Sequence, residues 1–189
     1  NAVVTQKTGN YMVFFPSYKM MNDVADIYCE KYVDETELML QKNNMSEAER
    51  EEFLDRFSEE SDRTLVAFGI MGGIFGEGID LKNDRLIGAI VVGTGLPQIS
   101  NERTILKDYY DAENGCGFDY AFRYPGINKV LQAAGRVIRT TEDTGVILLL
   151  DERFWQREYD LLYPREWSDR KPCNIANVGK LVADFWEQI

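Results

Sequence analysis

The chain has 189 residues, 44% hydrophobic and 12% aromatic, enough apolar material to bury a full core; this excludes a disordered tail or a fibrous protein and predicts one domain spanning 1–189. It carries a net charge of −11 and no histidine, so Ser-His-Asp, Cys-His and histidine-metal chemistries are all excluded, and the overall sign argues against a binder that relies on general attraction to phosphates. The longest apolar run, Val146–Leu150, is far too short to span a bilayer, no basic start with an apolar core opens the chain, and the three cysteines stand far apart. No membrane partner, a cytoplasmic protein and reduced structural thiols are therefore expected.

Tyr11–Phe15 ("YMVFF") predicts a strand, closed by Pro16 and followed by Ser17, a good N-cap for a helix carrying Met20, Val24, Ile27 and Tyr28 on one face. Glu37–Gln41 predicts a second strand. From Ser46 to Asp62 eight acids face two arginines, and Phe53, Leu54 and Phe57 recur at helical spacing, so this segment reads as a helix with a solvated acidic face. Thr64–Gly69, Leu86–Gly93 and Gly145–Asp151 are nearly continuous apolar runs, as parallel strands covered on both faces require. Residues 100–125, with Tyr109, Tyr110, Gly115, Gly117 and Pro125, read as an insertion between sheet elements, helical at its start. The final stretch sets Ile175, Val178, Leu181, Val182, Phe185 and Ile189 at helical spacing, predicting a helix docked on the sheet. The alternation implies a doubly wound α/β sandwich.

Two segments carry chemistry. Val130–Arg139 predicts one helix, its apolar stripe formed by Val130, Leu131, Ala134, Val137 and Ile138, with Gln132, Gly135, Arg136 and Arg139 on another face. Arginine suits forked recognition of phosphate, and Gly135 leaves room for a ligand at the backbone. By itself this is equally a solvated polar face. Gly69–Leu81 ("GIMGGIFGEGIDL") places five glycines among thirteen residues directly after a strand and adds the carboxylates Glu77 and Asp80, which can accept from sugar hydroxyls or pair with the arginines. It lacks the G-x-x-x-x-G-K-[ST] of a phosphate-binding P-loop, as does the whole chain, so it reads as half of a nucleotide site.

Together the segments resemble the second motor domain of superfamily two helicases, in the iron–sulfur branch related to XPD and the bacterial DinG proteins. "FFPSY" (Phe14–Tyr18) is similar to that family's motif IV, "EGIDL" (Glu77–Leu81) to motif V, "QAAGRVIR" (Gln132–Arg139) to motif VI, while "GLP" (Gly95–Pro97) and "LLDERF" (Leu149–Phe154) resemble the flanking segments. The resemblance implies a RecA-like three-layer sandwich with a mainly parallel sheet, lacking its own P-loop. It further implies that ATP and Mg²⁺ are held mainly by an N-terminal RecA-like domain absent from this chain, which is also where the family carries its iron–sulfur cluster. Arg139 is then the candidate arginine finger and Arg136 a γ-phosphate or coupling contact, roles that could be interchanged, with Gln132 beside them. Gly78 and Asp80, with Glu77 and Gly135, fall to the nucleotide, and Gly73, Phe75, Ser17 and Tyr18 to single-stranded DNA. Ser17 is equally an ordinary helix cap. The readings that compete are a non-catalytic α/β module that binds protein partners, and the same motor half in an RNA helicase or a nuclease-coupled helicase.

Overall fold

The structure, a computed structural model, describes residues 1–32, 34–57, 62–75, 85–138, 140 and 142–189. Five strands, β1 (Asn10–Phe15), β2 (Glu37–Leu40), β3 (Leu65–Ile70), β4 (Gly88–Val92) and β5 (Val146–Leu150), form one sheet in the order β2-β3-β1-β4-β5. Every neighbouring pair is parallel, with Tyr11 opposite Val66 on one side and Gly88 on the other. The expected strands are thus all present, to within two residues at each end.

Parallel pairing explains the unbroken apolar runs. Side chains alternate across the sheet, so a strand covered on both faces needs apolar residues at every position. Met12, Phe14, Leu65, Ala67, Ala89 and Val91 enter the core beneath α2 (Glu47–Asp55) and α4 (Tyr124–Ala134). Tyr11, Val13, Phe15, Val66, Phe68 and Ile90 enter the opposite core, beneath α1 (Tyr18–Tyr32) and the C-terminal helix. The chain reverses its direction of winding after β2, which is what sends α1 and α2 to opposite faces.

The helix ends follow local chemistry. Ser46 and Glu49 close a capping box on α2, each side chain bonding the other's backbone N–H. At the other end, the Arg85 guanidinium donates to the Phe57 carbonyl (2.8 Å) and adds a bond to the Leu54 carbonyl (3.3 Å), which already accepts from the Phe57 N–H. The 100–125 segment is helical: α3 (Asn101–Asn114) ends at Gly115 in the left-handed conformation, and a π-helix, Asp119–Arg123, leads into α4. No residue of α3 is buried. It stands on the π-helix through Tyr110, stacked on Tyr120 at 4.0 Å, and through Arg103, which donates to the Ala121 carbonyl.

Three helical expectations are corrected. On α1 the sheet side is Met21, Ala25 and Tyr28, while Met20, Val24 and Ile27 are 43%, 37% and 53% exposed. Successive residues differ by about 100° around a helix, so α1 carries two apolar stripes, and small Ala25 marks the one that can approach the sheet. Tyr28 anchors that side by bonding Thr36 (2.8 Å) and meeting Phe68 edge-on. The last helix here, Val178–Trp186, buries Val178 and Val182, but Ile175 and Ile189 are exposed because they lie beyond its ends. Finally, α4 stops at Ala134: the Arg136 and Val137 amides bond three residues back, to Ala133 and Ala134, tightening the chain into a turn after Gly135. Gln132 and Arg136 therefore do not share a continuous helical face.

Candidate functional site

Because all five strands run the same way, their C-terminal ends form one rim, where ligands of open α/β sheets usually bind. β1 delivers Ser17 and Tyr18 to this rim. Ser17 is exposed and its Oγ accepts from the Met20 N–H (3.3 Å), so it does cap α1. The Tyr18 hydroxyl accepts from Gln41 Nε2 (2.9 Å) and donates to the Lys42 carbonyl (3.4 Å). Gln41, 4% exposed at the end of β2, also accepts from the Ile70 N–H (2.9 Å) through Oε1. One amide thereby ties the ends of β1, β2 and β3 together.

Gly73 sits in the same cluster. A Cβ there would lie 3.0 Å from the Ile70 carbonyl and 3.4 Å from Gln41 Nε2, so the loop after β3 can pack this closely only without a side chain. Gly72 has φ +70°, and the Lys129 stem lies across it. Phe75, assigned above to the DNA track, is fully buried and stacks on Phe53 at 4.2 Å. Its side chain faces the core: an aromatic ring directly after a glycine turn gains more by leaving water than by lining a solvated groove. The loop after β4 is equally compressed, with Gly95 at φ +68° against the Gly126 carbonyl of α4. The residue closing β5, Asp151, accepts from the Arg153 amide (2.9 Å), Nε (2.8 Å) and the outer guanidinium nitrogen (2.7 Å). These bonds hold its carboxyl below the usual carboxylate range, and they raise the Arg153 guanidinium further.

Gln132, Gly135 and Arg136 lie at the opposite end. α4 runs antiparallel to the strands, its first turn placing Gly126 beside Thr94 and Gly95, past the end of β4, and its far end leading to Val137, which lies against Gly145 just before β5 begins, where Gly145 also meets the Ile87 backbone just before β4. At that end Gln132 and Gly135 are exposed and Arg136 is half-buried. Gly73 and Phe75 stand at the rim, whereas Arg85, where the described chain resumes, stands at this same opposite end, its carbonyl accepting from the Asn10 side chain (3.1 Å). Arg139, Glu77, Gly78 and Asp80 lie outside the described residues. The structure therefore separates two clusters, Ser17, Tyr18 and Gly73 at the rim and Gln132, Gly135 and Arg136 at the base.

The helicase C-terminal domain model matches residues 1–170. The chain belongs to this family. Within it, the chain is 32% identical over 187 residues to the ATP-dependent DNA helicase XPD of Sulfolobus acidocaldarius, covering 93% of this chain and 29% of that protein. It is 28% identical to the ATP-dependent DNA helicase YoaA of Haemophilus influenzae, over 83% of this chain and 23% of that one. The chain thus spans less than a third of the length of these relatives. Among solved structures, XPD_APO superposes with a TM-score of 0.66 at 21% identity, over 84% of this chain and 31% of that one, and the C-terminal domain of the DEAD-box protein Dbp5 with 0.51 at 16%, over 94% and 83%. These likenesses establish the RecA-like α/β fold.

A strand-binding groove needs local positive charge, and Lys19, Arg123 and Lys129 are three cations of the chain that could supply it. Arg123 is committed to Asp119 and lies beneath the rings of Phe118 and Tyr159, so its role is internal. Lys19 pairs with Asp23 at 2.6 Å with both side chains well exposed, a pair of little energetic weight. Gln41, Arg85 and the Asp151–Arg153 pair were not singled out from the sequence. Their only signals are a polar residue ending an apolar run, an arginine opening one, and an acid–base pair two residues apart. Among the described residues, no group of three acidic or cysteine side chains is placed to hold a metal ion, and no helix is long and apolar enough to cross a membrane.

Proposed function

We propose that this chain is the second motor domain of an ATP-dependent DNA helicase, completing a nucleotide site with a RecA-like domain elsewhere in the same polypeptide. The observation that carries the reading is the family match across residues 1–170. In this reading the other domain binds ATP and Mg²⁺ through its P-loop and carboxylates. Arg139 reaches across to the charge developing on the γ-phosphate, Arg136 and Gln132 hold the same phosphate or couple it to the strand, and Glu77, Gly78 and Asp80, with Gly135, border the nucleotide. Ser17, Tyr18 and the Gly73 backbone meet a phosphate of single-stranded DNA at the rim, where the start of α1 offers N–H groups. Phe75 supports that loop from within the core. The separation of rim and base supports a division of labour: nucleotide at one end of the domain, strand at the other, with α4 running between them.

The test is Arg139→Ala in the full-length protein. An arginine finger acts chiefly in the transition state and is worth roughly 10³ to 10⁵ in rate, so DNA-stimulated hydrolysis should nearly vanish while nucleotide affinity and melting temperature hold. Arg139→Lys should rescue poorly, because a point charge does not reproduce the guanidinium fork. Full activity of the alanine variant would assign the residue to a solvated face, and unfolding would assign it to the fold.

A further inference from the structure

β5 is the edge strand of the sheet, with no strand paired to its outer side among the described residues. The Val146 amide bonds the Ile87 carbonyl (2.9 Å) and the Leu150 carbonyl accepts from Gly93 (3.1 Å), so by the alternation of a parallel ladder Val146, Leu148 and Leu150 address β4. Ile147 and Leu149 turn their N–H and C=O groups outward, and no described residue bonds them. A sheet edge of this kind is a template for another strand unless it is blocked.

Here it is flanked, not blocked. After β5 the chain passes round the sheet edge, from Phe154 and Tyr163 against one core to Cys173 against the other, and leaves a cavity of about 250 Å³ alongside Ile147, Leu148 and Leu149. Trp155, 57% exposed, and Trp167 form aromatic walls. The Tyr163 hydroxyl donates to the Phe154 carbonyl (2.8 Å), and burial pushes its pKa up to about 12, so it stays neutral. The charges are unequal in availability. Arg170 is held by Asp160 and lies over the Tyr163 ring, whereas Glu166 and Asp169 have no ion-pair partner among the described residues; Lys171 is the single lining cation in the same position. Free carboxylates beside tryptophan faces, on a chain of net charge −11, suit a cationic side chain.

We propose that this slot receives an extended basic segment of a partner protein, which adds as a sixth strand along β5 and places an arginine or lysine between the tryptophans and the carboxylates of Glu166 and Asp169. Main-chain bonds to Ile147 and Leu149 supply the register, and the alternating side chains supply selectivity. The inference stands independently of the helicase reading, since it uses neither the rim nor the base of the sheet.

Fluorescence anisotropy with the 189-residue chain and three synthetic nonapeptides tests it: alternating valine and arginine, the same peptide with alternate amides N-methylated, and the same with glutamate for arginine. The first should bind saturably and quench tryptophan emission, and each of the others should bind at least about tenfold more weakly. The double substitution Glu166→Gln, Asp169→Asn and, separately, Trp155→Ala should each weaken the arginine peptide about tenfold with the melting temperature unchanged. No binding of the first peptide would overturn the proposal, as would equal binding of the N-methylated one, which would mean general attraction to an acidic surface. Concentration-dependent dimerisation that the first peptide abolishes would assign the slot to a second copy instead, and quenching by oligothymidylate at equal affinity would assign it to nucleic acid.

Discussion

Gly95 occupies a place where no side chain fits. Its φ is +68°, and a Cβ would stand 2.7 Å from the Gly126 carbonyl and 2.8 Å from Met71 Sδ, whereas Gly115, at φ +73°, has open space around it. Gly95→Ala should therefore cost about 1–3 kcal/mol in urea unfolding, and Gly115→Ala only the strain of the left-handed backbone, about 1 kcal/mol. Equal losses would show that the backbone alone, and not the close approach of the two loops, demands glycine. Asp151 makes a prediction in pH. The Arg153 bonds depress its carboxyl, and a depressed carboxyl contributes stability that is present above the unfolded value, near 3.9, and lost as pH falls through the folded one. Asp151→Asn keeps an acceptor for the Arg153 amide but gives up that titration. Melting temperature should thus fall on substitution at pH 6, and the gap to the parent chain should close as both are taken below about pH 4. A gap independent of pH would mean that the pair is electrostatically idle.

At the scale of elements, chemistry-bearing residues stand where two opposing demands meet. The loop after β3 must turn tightly over Gln41, which Gly73 permits, and must also be held down, which Phe75 achieves by stacking on Phe53. Phe75→Ala in the full-length protein should accordingly cost about 3–5 kcal/mol of stability, the range for removing a buried aromatic ring. At a temperature where the variant remains folded, affinity for single-stranded DNA should be nearly unchanged; a large loss of DNA affinity with little loss of stability would return Phe75 to the strand-binding surface. α4 meets a similar conflict. It must cover β4 and β5 as a helix and then deliver the chain to the start of β5, so it gives way at Gly135 and leaves Gln132 and Arg136 on either side of a turn. A turn sets the direction of these two side chains separately, which a single helical face would not.

At the scale of the molecule, the proposed shared nucleotide site sets the expectation. The 189-residue chain contains no P-loop sequence, so purified alone it should bind ATP weakly and show no Mg²⁺-dependent turnover above buffer, with or without single-stranded DNA; robust hydrolysis would refute the shared-site reading. The fold class and the strands were legible in the sequence, because a parallel strand buried on both faces must be apolar throughout and "LVAF" or "GAIVV" leaves few alternatives. Motif VI was legible as a set of residue types. What the sequence left open is which stripe of α1 meets the sheet, that Phe75 turns inward, and that α4 ends before Arg136. Each of these depends on neighbours distant in the chain: the sheet beneath Ala25, Phe53 beside Phe75, and Gly145 against Val137. Periodicity records that a residue is apolar and where it falls around a helix, but the choice between two apolar stripes, or between core and groove, is made by packing against a partner that no local pattern contains.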